Sequence, residues 1–189
     1  MAKKKYDVAI IGAGTAGLTA RKQVAKVTDN YVVIDGGTLG TTCARVGCTP
    51  SKVLIQVAND FQRREIFESV GIDGADNLSI SHERVMTHVR KLRDRFVKGV
   101  MHSIESWSET HFIRKKAKFI NQSTLDLRDE TIEANKIILA TGSRPVIPGP
   151  WMQYQDYFVD TNNFFELETL PSKMAVVGLG VVGIELGQA

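Results

Sequence analysis

The chain has 189 residues, 43% of them hydrophobic and 24% charged, which is ordinary for a globular protein with a buried core and admits one domain or one and a half. No apolar run approaches the roughly 18 residues a spanning helix needs, and a net charge of +3 is too small to imply a nucleic-acid partner by itself. The basic start runs only into a short apolar stretch ending in glycines, with no small-residue cleavage site after it. A signal peptide is therefore rejected, and a cytoplasmic location is the default expectation. In that compartment a disulfide is more often catalytic than structural.

In chain order, Tyr6–Ile11 reads as a buried parallel strand: short, apolar, β-branched and closed by glycine. Gly12-Ala13-Gly14-Thr15-Ala16-Gly17 follows, then a helical run through Leu18, Val24 and Val27, then a strand Tyr31–Ile34 ending at Asp35 and Gly36. Strand, G-x-G-x-x-G, helix, strand and acid together form a dinucleotide-binding fingerprint in its proper context. Gly12 makes the turn, Gly14 lets a pyrophosphate reach the backbone, and Gly17 lets the helix pack on the strand. The helix N-terminus offers N–H groups to phosphate. Asp35 is placed to accept hydrogen bonds from an adenosine ribose.

Residues 36–50 read as a Gly/Thr-rich loop that carries both cysteines, Cys43 and Cys48. Leu54, Val57, Ala58 and Phe61 recur at helical spacing, so a helix is expected from Pro50 or Ser51 to about Phe67. That places Cys48 at a helix N-terminus, where the macrodipole favours a thiolate. Two inert thiols and a redox pair are both open at this point. A metal site is disfavoured: two sulfurs do not close a tetrahedral zinc, and His82, His88, His102 and His111 show no ligand spacing with them.

From Ser81, as N-cap, a long helix is written by Val85, Val89, Leu92, Phe96, Val100, Ile104 and Trp107 on one face. Its basic stripe of Arg84, Arg90, Lys91, Arg93, Arg95 and Lys98 reads as a solvated face. Residues 110–120, 123–127 and 130–133 read as short strands of a meander, and 136–140 as a further buried strand leading to Ala140-Thr141-Gly142-Ser143. Pro145 and Pro148 mark a stiff connector, and Asn162–Leu167 reads as a short helix. The opening pattern then recurs: Met174–Val177 as a strand, Gly178-Leu179-Gly180-Val181-Val182-Gly183 as a loop, and a helix from Ile184.

This series resembles the pyridine nucleotide–disulfide oxidoreductases: a first fingerprint at 12–17, Asp35, C-x4-C-x-P-S-K over 43–52, Ala-Thr-Gly-Ser at 140–143 and a second fingerprint at 178–183. Within that family it looks most like the dihydrolipoamide dehydrogenases, with mercuric- or glutathione-reductase-like members as the alternative. The resemblance implies an α/β fold. Residues 1–150 would be the first segment of a Rossmann-like FAD-binding domain with an added meander, 151–172 a connector and 173–189 the start of an NAD(P)-binding domain. It implies FAD on Gly12, Gly14, Thr15, Ala16, Gly17, Asp35 and Gly36, with further contacts from Thr41, Thr42, Cys48, Lys52 and Ala140 to Ser143. NAD(P) would lie on Gly178, Gly180 and Gly183. Cys43 would be the outer, exchanging cysteine of a redox disulfide and Cys48 the inner one. Lys52, near the flavin, would pair with Glu185. Electrons would pass between NAD(P)H and a small or carrier-bound dithiol/disulfide, in a homodimer free of membrane and nucleic acid. Members are more than twice as long, so an inactive N-terminal piece is expected, with another flavoprotein class or a plain nucleotide-binding module as rivals. Four positions depart from the family pattern: Asp35 for glutamate, Thr41 for glycine, Arg45 for asparagine, and Val181 for a tyrosine of the glutathione reductases.

Overall fold

Strand β1 (Lys4–Ile11) is flanked on both sides by parallel neighbours, which is why its residues are uniformly apolar after Asp7. The computed structural model describes residues 4–189, so the first three residues of the basic start lie outside the described residues. By their contacts these residues fall into two units. One comprises the chain up to Thr42 with Val97–Arg144, the other Cys43–Phe96 with Pro145–Ala189.

In the first unit, β1 is followed by helix α1 (Thr15–Val24) and strand β2 (Tyr31–Ile34). β2 pairs with one edge of β1, and β6 (Thr131–Leu139) with the other. β3 (Phe112–Ile113) extends the sheet in parallel beyond β2, while β5 (Thr124–Asp126) and β4 (Lys118–Phe119) extend it in antiparallel fashion beyond β6. The six-stranded order is β3-β2-β1-β6-β5-β4. Side chains alternate between faces. Ala9, Val32 and Ile34 join Leu125, Leu127, Ile132 and Ala134 on one face. Ile10, Tyr31 and Val33 join Ile104 and Trp107 on the other, under Leu18 and Val24 of α1. Each fully buried Val or Ile here contributes about 1.5–3 kcal/mol.

Two strand expectations change. The segments 130–133 and 136–140 are one strand, because β1 runs beside it in a single register from Lys4↔Ile132 to Ile11↔Leu139. The first meander strand, 110–120, is broken up: Thr110 and His111 finish a helix, Phe112–Ile113 takes the free edge of β2, and only Lys118–Phe119 joins β5.

The second unit is helical. The loop expected over 36–50 contains helix α2 (Thr42–Val46), and α3 (Cys48–Gln62) begins after Gly47, earlier than expected. Pro50 is tolerated there because first-turn N–H groups have no intrahelical partner to lose. α3 ends at Gln62 rather than Phe67, the chain tightening into 3-10 turns at Arg63–Ile66 and Glu68–Val70. α4 (His82–His111) starts where Ser81 O accepts the Val85 N–H at 3.0 Å, and it runs one turn past Trp107. Leu54, Val89, Phe164 and Phe165 form this unit's core, with Val53, Val85 and Leu186 of α5 (Val181–Gln188) packed against it.

The basic stripe of α4 is not wholly solvated. Arg93 is 9% exposed and pairs with Asp94 and Glu166, and Arg90 donates to the Leu167 carbonyl, because residues 164–167 pack on that face. The helix expected at Asn162–Leu167 is a single 3-10 turn, Phe164–Glu166. Met174–Val177 is not a strand: no ladder partner lies beside it among the described residues, and Val176 instead stands against Gly183 and Gly187 of α5.

Candidate functional site: a glycine cradle and a dithiol

In the first unit the C-terminal ends of three parallel strands converge on Gly12. Its N–H donates to Ile34 O at 2.8 Å, and Ala140 N–H donates to Ile11 O at 2.8 Å. This is the point where the sheet grows in opposite directions from β1, the place where open α/β sheets bind ligands. Gly12 has φ +111, and a Cβ on it would lie 2.1 Å from Ala140 O, so glycine is required twice over. A Cβ on Gly17 would lie 1.8 Å from Gly12 O. Gly14 is different: with φ −78 it strains no side chain, and a Cβ would meet nothing within 4 Å. The space over Gly14 at the start of α1, where first-turn N–H groups lack intrahelical partners, suits a pyrophosphate. Thr15 and Ala16 are exposed beside it, as are Thr141, Gly142 and Ser143 after β6. Asp35 ends β2 with its carboxylate on two backbone amides, Ala13 N–H and Gly37 N–H, each at 2.7 Å. Gly36 carries the chain close under the turn after β3, where a Cβ would lie 2.7 Å from Lys116 N.

The second unit brings Cys43, Cys48, Lys52 and Glu185 together. Both thiols are free, Cys43 half-buried and Cys48 exposed. They hydrogen-bond each other, and that bond, then burial and the neighbouring charge, pushes the Cys43 thiol up. The backbone amides of Cys48 and Thr49 act against this rise. Lys52 Nζ forms an ion pair with Glu185, joining α3 to α5. A groove of about 500 Å³ runs beside Cys48 between α3 and α4, lined by Lys52, Val53, His88, Leu92 and Phe96.

The second fingerprint repeats the first in its own unit. Gly178 has φ +105 and Gly180, capping α5, has φ −73 and ψ 173; a Cβ on Gly183 would lie 2.1 Å from Gly178 O. Ile184 N–H donates to Gly180 O at 3.0 Å, as Leu18 N–H does to Gly14 O at 2.9 Å.

Residues 6–189 match the family described as pyridine nucleotide-disulphide oxidoreductase. The chain belongs to this family. Its members are FAD- and NAD(P)H-dependent disulfide oxidoreductases. Among curated relatives, a dihydrolipoyl dehydrogenase of Staphylococcus aureus is 29% identical over 187 residues, covering 97% of this chain and 39% of that protein. The dihydrolipoyl dehydrogenase of Mycoplasma pneumoniae is 32% identical, with 95% and 40% covered. The chain therefore spans about two fifths of the length of the relatives it matches. Among solved structures, the HOCl-induced flavoprotein disulfide reductase RclA from Escherichia coli superposes with a TM-score of 0.74 at 24% identity, over 95% of this chain and 38% of that one. The shared fold is the Rossmann-like FAD-binding fold of flavoprotein disulfide reductases.

For a member of this family the residues fit FAD on the structure's own terms. The cradle over Gly14 is open, and neither its φ nor its surroundings exclude a side chain. Near the dithiol, the sequence marks Thr41 and Arg45 as departures, but not their conformation and burial, nor the groove. Thr41 sits at φ +62, a left-handed backbone that β-branched residues rarely adopt. Arg45 Nε is buried with no hydrogen-bond partner. His88, Leu92 and Phe96 line the groove; the signal was the long apolar stripe of α4, which is more than one core face consumes.

Proposed function

We propose that the whole protein passes two electrons between NAD(P)H and a dithiol/disulfide substrate, with dihydrolipoamide the substrate favoured by its relatives' names. The observation that carries this is the pair of free thiols Cys43 and Cys48, set on either side of Gly47 at the junction of α2 and α3. In the reductive direction the Cys43 thiolate attacks the substrate disulfide, forming a mixed disulfide and expelling one substrate thiolate, which takes up a proton. The Cys48 thiolate then attacks the Cys43 sulfur, releasing the second substrate thiol and closing the Cys43–Cys48 disulfide. FAD, when bound, supplies the two-electron relay that reopens this disulfide at the expense of NAD(P)H.

Other residues take supporting roles. Gly12, Gly14 and Gly17 hold the pyrophosphate of FAD, with Thr15 and Ala16 lending first-turn amides. Asp35, Gly36, Thr41, Thr42 and Ala140 to Ser143 are assigned to the rest of FAD, and Gly178, Gly180 and Gly183 to NAD(P). Lys52, paired with Glu185, would supply positive charge that favours an electron-rich flavin ring. Residues 1–150 form the first FAD-binding segment, 151–172 a connector and 173–189 the opening of an NAD(P) domain. The working unit is a homodimer.

The test is steady-state turnover of the full-length flavoprotein with lipoamide and with glutathione disulfide. Lipoamide turnover that vanishes in Cys43→Ser and in Cys48→Ser is expected. Turnover indifferent to both substitutions would remove the dithiol from the reaction, and preference for glutathione disulfide would exclude dihydrolipoamide as the physiological partner.

A further inference from the structure

Asp35 is more tightly held than a ligand-facing carboxylate needs to be. Its main chain is pinned to the neighbouring strand: Asp35 N–H donates to Ile113 O at 3.1 Å, and Asp35 O accepts from Arg114 Nη1 at 3.2 Å. Its side chain then spans outward. Oδ2 accepts the Ala13 N–H, from the middle of the glycine turn, and Oδ1 accepts the Gly37 N–H, from the turn after β2. Both bonds are 2.7 Å, the short distance of charge-assisted hydrogen bonds. Ala13 is 1% exposed, so without Asp35 its amide would have neither this acceptor nor water.

The carboxylate is not what bends the glycine turn. The turn at 178–183 takes the same backbone with Leu179 in the place of Ala13, and Leu179 is 83% exposed. What the carboxylate adds to the Gly12 N–H bond on Ile34 O is a tie from Ala13 to the turn after β2. Those two segments are the walls between which an adenosine diphosphate moiety has to fit.

Side-chain length matters for this. A glutamate would carry the carboxylate one methylene further out, beyond the two amides and toward any bound ribose. An aspartate is the acid whose reach matches a bond to the protein's own backbone. We propose that Asp35 is a positioning residue: it clasps the glycine turn to the turn after β2 and so sets the spacing of the phosphate-facing amides, independently of any contact it makes to a ribose. This rests on the reading that the first fingerprint holds FAD.

The experiment is calorimetric binding of ADP and of 2′,3′-dideoxy-ADP to the full-length protein stripped of flavin, well below its melting temperature. Wild type is compared with Asp35→Asn, Asp35→Glu and Gly14→Val. The clasp predicts that Asp35→Asn weakens both ligands by the same factor, about tenfold, and that Asp35→Glu does the same despite keeping its charge. If dideoxy-ADP is indifferent to both Asp35 substitutions while ADP is not, Asp35 acts only through the ribose and the proposal is overturned. If melting temperature falls but neither affinity changes, the residue is merely structural and the proposal is again overturned. Gly14→Val separates the two levels of the argument. Binding lost there but kept in the Asp35 variants overturns the clasp alone, whereas binding unaffected by Gly14→Val overturns the cofactor reading and the clasp with it.

Discussion

Gly14→Ala and Gly17→Ala add the same methyl group three residues apart, and the structure assigns them opposite consequences. At Gly17 the new Cβ would stand 1.8 Å from Gly12 O and 2.8 Å from Gly12 C, a backbone clash that no rotamer change relieves. Overpacking of this kind costs about 3 kcal/mol at the upper end of its usual range, against a helix-propensity gain of about 1 kcal/mol for replacing an interior glycine. A net loss of about 2 kcal/mol in the flavin-free protein is expected. At Gly14 the methyl meets nothing within 4 Å and φ is −78, so strain is absent. Restricting the unfolded chain contributes about 0.4–1 kcal/mol, and alanine as an N-cap in place of glycine costs about as much. The flavin-free stability should stay within about 0.5 kcal/mol of wild type. The flavin affinity should nevertheless fall at least about tenfold, roughly 1.4 kcal/mol, because the methyl occupies the space over the amides. Urea unfolding of flavin-free full-length protein, read with FAD titration by fluorescence quenching, makes both comparisons. Equal destabilisation by the two substitutions, or a Gly14→Ala variant that binds FAD as wild type does, would refute the assignment of the open cradle to the cofactor.

Cys48→Ala removes the main influence raising the Cys43 thiol, so the pH profile of Cys43 alkylation by iodoacetamide should move to lower pH; an unchanged profile would mean the two thiols do not share a proton. Thr41→Gly relieves a left-handed threonine worth about 1–2 kcal/mol of strain at an entropic cost of about 0.5–1 kcal/mol, for a net gain of about 0.5 kcal/mol in urea unfolding. Arg45→Met eliminates the unpartnered buried Nε and should stabilise the flavin-free protein by about 1–2 kcal/mol; a loss would show that the guanidinium has a role the hydrogen-bond pattern does not reveal. Lys115 hydrogen-bonds Asp129 and Glu130 and holds both carboxyls below their ordinary values of 3.8 and 4.5. Their contribution is therefore complete above about pH 4.5 and is lost as pH falls through the lowered values. Lys115→Met should flatten that acid limb by removing a small, solvent-screened contribution present at neutral pH, leaving stability below the lowered values unchanged.

The parts of the fold that the sequence announced are those with a local signal. β1, β2, the glycine turn and α1 carry their periodicity and punctuation within a few residues, and they lie where expected. Strand partners were less legible. Phe112–Ile113 reads as meander by composition, but which edge it joins depends on β2 having a free side some eighty residues earlier in the chain. Ile132 to Leu139 reads as two strands because Ala134 and Asn135 interrupt the apolar pattern, and only the single register with β1 makes it one. Arg93 looks like its solvated neighbours on α4 until Glu166 is folded against it. At the two cysteines, the short α2 and the early start of α3 depend on the turn at Gly47, which the C-x4-C spacing alone does not encode.

The two glycine turns carry a consequence for how such a chain acquires its shape. Gly12 and Gly178 differ by 6° in φ, taking 111 from one and 105 from the other, and the capping glycines at 14 and 180 differ by 5°, −78 against −73. Yet the first turn leaves a strand held on both sides, and the second leaves a segment with no ladder beside it among the described residues. A bend that takes one form in both settings is written in its own six residues. It is a modular hinge between strand and helix, available before long-range pairing forms and able to guide the following helix back across the strand it has just left.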